Sequence, residues 1–206
     1  MNSVVQRVFA AVYDPMLARV ERRGLAELRR HLLGSIDGEV VEIGAGTGAN
    51  LEHYGDRVRR VVAVEPSPPM ADRARRRRLV GKLDVEVVVA PAERLPLADA
   101  SVDVAVSTLV LCSVRDVAAS LAEVHRVLRP GGRFVLLEHV AGEDGMLRLQ
   151  RFVQPVWKPL AGGCHLTRDP LPSLRAAGFD VADLRHVRLP LPGPASPGLV
   201  GTATRL

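Results

Sequence analysis

Glu42-Ile43-Gly44-Ala45-Gly46-Thr47-Gly48 is the stretch on which the fold turns. Residues 39–43, rich in Val and Ile, read as a short strand, and it runs into three glycines at every second position. Glycine lets the backbone approach a ligand with its N–H groups pointing inward. A strand feeding such a turn and a helix start makes a nucleotide-binding corner. The pattern predicts a helix over 49–54 directly behind it. From Gly44, with Ala49 last, the loop also fits the dinucleotide fingerprint G-x-G-x-x-A.

Two acids narrow the reading. Glu42 stands two residues before Gly44, where a carboxylate faces a ligand's cationic group or orders the turn; beside a pyrophosphate it would meet like charge. Glu65 ends the next strand, 21 residues after Gly44, where an acid accepts hydrogen bonds from both ribose hydroxyls. A nucleoside with a nearby positive charge and no phosphate fits this pair. S-adenosylmethionine, with adenosine, a sulfonium and an amino-acid end, has that composition.

Strands and helices alternate outward from this corner. Residues 60–64, 85–89, 102–107 and 133–139 read as strands; 69–79 and 117–128 read as helices, the second stopped by Arg129-Pro130-Gly131-Gly132. That rhythm means βαβ units and a parallel sheet covered on both faces. Upstream, 4–12 carry Val5, Val8, Phe9 and Val12 at helical spacing. Tyr13-Asp14-Pro15 is expected to interrupt them, because the residue before proline is pushed out of the α region. A second helix follows over 16–33, with Leu17, Val20, Leu28 and Leu32 on one face and Arg19, Arg22, Arg23, Arg29 and Arg30 mostly in solvent. Downstream, helices are expected over 146–153 and 169–177, a sixth strand over 181–187, a Pro/Gly loop over 191–197 and a final strand over 199–204.

Composition excludes several classes. With 206 residues, 47% hydrophobic and 25% charged, the chain can bury a core and has the size of an ordinary α/β domain. No apolar run approaches the ~20 residues of a spanning helix, so no integral membrane span is expected. Residues 1–7 lack a basic segment followed by an apolar one, so no secretory signal is expected. Two cysteines, Cys112 and Cys164, are too few for a disulfide scaffold and suit a reducing, cytoplasmic compartment. The net charge is +5, with 26 Arg against 2 Lys and only 3% aromatic residues. That bias reflects GC-rich coding more than a nucleic-acid partner, and the run Arg75-Arg76-Arg77-Arg78 reads as a solvated helix face.

The chain resembles the class I S-adenosylmethionine-dependent methyltransferases, in the branch of the ubiquinone/menaquinone-biosynthesis enzymes. The carrying segments are 41–50, Val64-Glu65-Pro66, Ala92-Glu93-Arg94-Leu95-Pro96-Leu97, 101–107 and 123–132, in the family's order over about residues 38–140. A narrower likeness, in 108–114, Leu137-Glu138-His139-Val140 and Gly163-Cys164-His165-Leu166-Thr167-Arg168, points to the methyltransferase-like thiol methyltransferases. The resemblance implies a Rossmann-like, seven-stranded, mostly parallel sheet with helices on both faces and an antiparallel last strand. It also implies one domain, in which 1–34 cap the site, 35–140 hold the cofactor and 141–206 form the substrate side.

By the same resemblance S-adenosylmethionine is the cofactor. Gly44, Ala45, Gly46, Gly48, Asn50 and Thr108 would surround its methionine end beside Glu42. Glu65 would hold the ribose, Pro66 and Met70 would pack near the adenine, and Ala92 and Glu93 would flank its edge. Pro91 stands where many relatives carry Asp or Asn, so the usual acceptor for the adenine amino group is missing.

The acceptor side is read from the carboxyl ends of the strands, where ligands bind in such sheets. Methyl transfer is an in-line displacement in which the protein mainly aligns donor and acceptor. A thiol, with a pKa near ~8.5, needs little help; a phenol or alcohol wants a base. His139, ending the fifth strand, is the candidate base or substrate contact. Tyr13, Cys112, His165 and Trp157 are candidate substrate neighbours, with Cys112 equally readable as a small buried hydrophobe. His53 and His125 read as helix-surface residues. A pocket lined by Val5, Val8, Phe9, Phe152, Val153 and Trp157, with His139 at its floor, would take a small apolar acceptor. No cluster has metal-ligand spacing in the sequence, so no metal is expected. The expected activity is methylation of a small-molecule thiol, phenol or quinol, without a nucleic-acid partner. The alternatives are RNA methylation and, on the glycine loop alone, a nicotinamide oxidoreductase. Against the first stands the lack of an Asn/Asp-Pro-Pro-aromatic motif after the fourth strand.

Overall fold

The computed structural model describes residues 3–78 and 83–206 and, for 3–5, the backbone alone. The last residue of the helix expected over 69–79, and the Val5 side chain, therefore lie outside the described residues. One sheet carries the fold, in the order β3-β2-β1-β4-β5-β8-β6, with β7 also paired to β8. Here β1 is Gly38–Ile43, β2 Val58–Val64, β3 Val85–Val88, β4 Val102–Thr108, β5 Leu128–His139, β6 Phe179–Asp180, β7 Arg185–Arg188 and β8 Pro197–Arg205. The first five strands pair in parallel; β8 runs antiparallel to β5, β6 and β7.

Alternation along the strands sorts two cores. Val41, Ile43, Val62, Val64 and Leu136 pack on one face against Leu121, Val124 and Val127 of α4 (Val117–Val127) and Leu174 of α6 (Leu171–Ala176). Val40, Val61, Ala63, Val104 and Val135 face the other way, against Leu33 of α2 (Ala26–Leu33) and Ala71 and Ala74 of α3 (Pro68–Arg78). Both faces are dry, as a parallel sheet requires. Among the described residues no helix is long and apolar enough to cross a membrane.

Four local expectations are corrected. The N-terminal break falls at Gly24, not at Pro15. Helix α1 (Ser3–Val20) runs through Pro15, and the chain turns in a π-helical stretch, Glu21–Leu25, where Gly24 takes φ +123°, a conformation glycine adopts without a Cβ penalty. Residues 49–54 are not a helix but successive turns, closed by Gly48 N–H to Ala45 O, Leu51 N–H to Gly48 O and His53 N–H to Asn50 O. The sixth strand is split, so the sheet has eight strands rather than seven. Asp180 pairs with Thr204 and Arg185 with Val200, five steps against four, and the extra residue bulges where Asp183 O presses on Gly201. Finally, α5 (Asp144–Leu160) extends well beyond 146–153, through Pro155 and Pro159.

Helix α5 is turned inside out. Leu149, Phe152, Val156 and Leu160 face solvent, Phe152 being 84% exposed. The inward face carries Gln150, Gln154 and Trp157, which bond to loops beneath. Val8 on α1 is exposed as well. Phe152 and Val8 therefore do not line an internal pocket, contrary to the expectation from their apolar character.

The arginine run is only partly a solvated face. Arg75 Nη2 donates to Val87 O at 3.2 Å and Arg78 Nη1 to Val85 O at 2.8 Å, covering carbonyls along the β3 edge. Replacing both by Gln removes bonds worth together about 1–2 kcal/mol and is expected to lower Tm by roughly 2–8 °C. Arg76→Gln, at an exposed side chain with no partner among the described residues, is expected to leave Tm unchanged. Thermal unfolding of both variants checks this.

Candidate functional site

The site lies at the carboxyl ends of β1, β2, β4 and β5. Gly44, Gly46 and Gly48 all take positive φ (+59°, +57° and +83°), a region that a Cβ disfavours. At Gly44 a Cβ would also stand 2.5 Å from Val110 Cγ1. The loop is tied to β2 by Ala45 N–H to Val64 O (3.1 Å), and Gly46 N–H donates to Glu65 Oε2 (2.9 Å). Glu65 Oε1 accepts from Ser67 N–H at 2.8 Å. Burial raises the Glu65 pKa, while the Ser67 and Gly46 N–H bonds oppose the rise. Met70 is buried 3.9 Å from where a Gly46 Cβ would lie, and Pro66 is exposed.

Glu42 sits beneath the loop, fully enclosed. Asn50 Nδ2 donates to its Oε1 (3.0 Å) and Tyr54 Oη to its Oε2 (2.7 Å). Burial pushes its pKa up to about 7, against the pull of the Tyr54 and Asn50 bonds and the Arg29 charge. Asn50 also donates to Thr108 Oγ1 (3.0 Å) and accepts from Arg29 Nη1 (2.5 Å), and Arg29 pairs with Glu21 (3.1 Å). Arg29, expected in solvent, is 5% exposed. Arg29 and Tyr54 were missed because each sits in a stretch whose local pattern reads as surface; only the turn at 49–54 brings Tyr54 back under β1.

Ala92 is buried near the end of β3. The Glu93 carboxylate is engaged elsewhere: its Oε1 accepts from Arg115 N–H (2.8 Å) and Asp116 N–H (3.1 Å), fastening the loop before α4. Its Oε1 is thereby committed to that loop.

Helix α1 crosses the loop. Thr47 Oγ1 donates to Asp14 Oδ1 at 2.5 Å, and Arg73 and Arg77 approach Asp14 at 3.7 and 3.8 Å. Half-buried Tyr13 stacks with Phe9, and burial pushes its pKa up to about 12, with Arg29 pulling down and Cys112 and Glu65 pushing up. Phe9 in turn rests on Gly162, where a Cβ would meet its ring at 3.0 Å. The N-terminal helix and the loop after α5 thus meet above the sheet edge.

At the carboxyl ends of β4 and β5 lies a cavity of about 170 Å³, lined by Leu111, Cys112, Val117, His139, Arg168, Asp169, Pro170 and Ser173. Glu138, given no role in the sequence reading, braces the turn that carries Leu111 and Cys112. Buried at the end of β5, Glu138 accepts from Ser107 Oγ (2.5 Å) and Val110 N–H (3.0 Å), which holds the turn where Leu109 takes φ +59°. His139 and Cys112 form the floor. His139 Nε2 lies 2.8 Å from Cys164 Sγ, and Trp157 Nε1 donates to the same sulfur at 3.2 Å. The hydrogen bond to Cys164 and burial raise the Cys112 pKa, and the same bond, with His139 and Trp157, lowers that of Cys164. His165 joins the group through its backbone, N–H to Cys112 O at 2.8 Å, while its half-buried ring has a pKa lowered by burial. Sequence spacing gave no sign of a cluster, because 112, 139 and 164 belong to three separate segments.

The residues suit S-adenosylmethionine. The glycine turn is held open by positive φ at three positions, and two buried acids whose pKa values are raised, Glu42 and Glu65, stand on either side of it. A ligand bringing a cation and hydroxyl donors complements such acids.

Comparison with known proteins gives a consistent picture. A family model described as a methyltransferase domain matches residues 41–136. Human thiol S-methyltransferase TMT1A is 37% identical over 190 residues, covering 89% of this chain and 77% of that protein. The ubiquinone/menaquinone biosynthesis C-methyltransferase UbiE of Rubrivivax gelatinosus is 35% identical over 144 residues, covering 65% of this chain and 55% of its own. Among solved structures, a geranyl diphosphate methyltransferase in complex with SAM superposes with a TM-score of 0.71 at 18% identity, over 92% of this chain and 90% of that one.

Proposed function

The chain belongs to the S-adenosylmethionine-dependent methyltransferases that act on small molecules, and from that premise we propose that it methylates the sulfur of a small apolar thiol. Family membership sets aside the oxidoreductase and favours a small acceptor over RNA.

The cofactor, when bound, supplies a methyl group activated by a sulfonium. Gly44, Ala45, Gly46, Gly48, Asn50 and Thr108 would hold its methionine end over Glu42. Glu65 would take the ribose, and Pro66, Met70, Ala92 and the Glu93 backbone would take the adenine. Tyr13 and Asp14 would close over it, so that 1–34 cover the site, 35–140 hold the cofactor and 141–206 form the acceptor side. His139 and Cys112 would border the acceptor, with His165 and Trp157 behind them through Cys112 O and Cys164 Sγ. The two free, buried cysteines accord with a reducing, cytoplasmic setting.

One observation carries the thiol: the cavity offers no free carboxylate base. Its one acid, Asp169, already accepts from Leu171 N–H at 3.0 Å. A phenol or alcohol needs a base, and the one imidazole lining the cavity, His139, has its Nε2 engaged with Cys164 Sγ at 2.8 Å, whereas a thiol needs none. The apolar wall of Leu111, Val117 and Pro170, and a volume below the ~300–1,000 Å³ of drug-sized pockets, favour a short apolar chain. The named relative TMT1A is a thiol S-methyltransferase, in agreement. A panel of matched alkyl thiols, phenols, quinols and amines, assayed for S-adenosylhomocysteine release, tests this. Thiols are expected to exceed every other class at least tenfold in kcat/KM. A phenol or quinol that matches the best thiol would overturn the reading.

A further inference from the structure

We propose that Cys112, His139 and Cys164 form a metal site suited to zinc, with a fourth position open to the acceptor cavity for the substrate's sulfur; the last part rests on the thiol reading above.

The three donors come from three segments: the turn after β4, the end of β5 and the loop after α5. Their ligand atoms, two sulfurs and an imidazole nitrogen, all lie within 4.8 Å of one another, and all three residues are buried. Zn–S bonds of ~2.3 Å and Zn–N bonds of ~2.0 Å place tetrahedral ligand atoms roughly 3.5–3.8 Å apart. One ion therefore reaches all three donors with shifts on the order of half an ångström. Two thiolates and an imidazole without a carboxylate select a borderline-soft ion and disfavour magnesium or calcium.

The surroundings are built for a fixed site. The Cys112 turn is pinned by Arg168 Nη1, which donates to Leu111 O (2.8 Å) and Val114 O (2.7 Å), and by His165 N–H to Cys112 O (2.8 Å). The Cys164 loop is pinned by Gln154, whose Nε2 donates to Cys164 O (3.1 Å) and whose Oε1 accepts from Leu166 N–H (2.7 Å). Trp157 Nε1 donates to the Cys164 sulfur, the kind of outer hydrogen bond that orients a metal thiolate. These polar groups are spent on holding backbone around two sulfurs, a use that plain packing does not require.

Three protein ligands leave tetrahedral zinc one position, as in catalytic sites. Cys112 and His139 both line the cavity, so that position opens into it. With the ion on Nε2, the ring proton sits on Nδ1, which is buried and has no partner among the described residues. An acceptor thiol at the fourth position exchanges its S–H bond for an S–metal bond, and its proton leaves to solvent. A coordinated thiol is held deprotonated, and its sulfur keeps lone pairs for the incoming methyl. This supplies a thiolate near neutral pH without a protein base.

The test uses the full chain, purified without chelator or histidine tag. Elemental mass spectrometry is expected to find about one zinc per chain. Cobalt added to the stripped protein is expected to give a thiolate-to-cobalt charge-transfer band, lost in C112S, C164S and H139A. S-adenosylhomocysteine binding verifies that each variant is folded. If one is not, competition of the wild type against a zinc chelator replaces it, with an expected Kd well below micromolar. A folded wild type that takes up neither ion, or whose two cysteines are found as a disulfide, overturns the site. Thiol methylation at full rate by a metal-free chain overturns the substrate's place at the fourth position, while leaving the thiol reading intact. A metal-loaded chain that turns over no thiol overturns that reading instead.

Discussion

Glu65→Ala is expected to weaken S-adenosylhomocysteine binding by a hundredfold or more. Glu65 ends β2, directly beyond the Ile43–Val64 pair, and so stands across the glycine loop from Glu42. Its two oxygens hold Gly46 N–H and Ser67 N–H, fixing the loop, and in the proposed complex they accept the ribose hydroxyls. Hydrogen bonds to a charged acceptor are worth ~1.5–3 kcal/mol each, so losing two costs about 10²- to 10⁴-fold in affinity. Glu65→Gln keeps the shape and one acceptor oxygen, and an intermediate loss of about tenfold is expected for it. Calorimetric titration of the three proteins measures the series, with NAD as a control expected not to bind. If Glu65→Ala binds within threefold of wild type, Glu65 is not the ribose ligand.

The second large effect is a pH-dependent gain in stability from Glu42→Gln. The buried Glu42 carboxyl has a pKa raised to about 7 from an ordinary 4.5. Below 4.5 both folded and unfolded chains carry the proton, and the residue imposes no penalty. Between 4.5 and 7 the unfolded chain releases its proton while the folded one retains it, so stability falls as pH rises. Above 7 the full cost of about 3 kcal/mol is present. Gln carries no charge and escapes it. The Tm difference between variant and wild type is therefore expected to grow by roughly 6–12 °C from pH 4 to pH 8. Any constant cost of exchanging the Asn50 and Tyr54 bonds cancels from this difference. A difference independent of pH would show that Glu42 titrates normally.

Much of the architecture was legible because it is written locally. The βαβ rhythm, the strand ends at Glu42 and Glu65 and the stop at Pro130 each follow from a few neighbouring residues. Expectations failed where distant contacts override local signals. Residues 49–54 favour a helix on their own, yet Asn50 and Tyr54 turn back to Glu42 and the segment stays in turns. Pro15 looked like a break, but α1 runs through it despite the bond that proline removes, and the non-helical turn falls at Gly24, φ +123°. Phe152 and Val8 looked like pocket lining because apolar residues are presumed inward, and both face out. The cluster of Cys112, His139 and Cys164 had no local signature at all, since only the closing of the loop after α5 over the sheet edge brings its members together.

The joint at Gly24 divides the molecule into parts of unequal permanence. Helix α1 buries Ala10 and Val20 but adds little to either face of the sheet. Among the described residues it is held by Val20, packed with Leu25, Leu137 and Leu189, by polar contacts at Asp14 and by the Phe9 ring against Gly162. Separating it exposes these side chains but leaves the two larger cores intact, and so costs less free energy than unfolding the sheet. The chain thus has two thresholds of opening: a low one, at which Asp14 releases Thr47 and the glycine loop loses its cover while the strands stay paired, and a high one, at which the sheet itself comes apart.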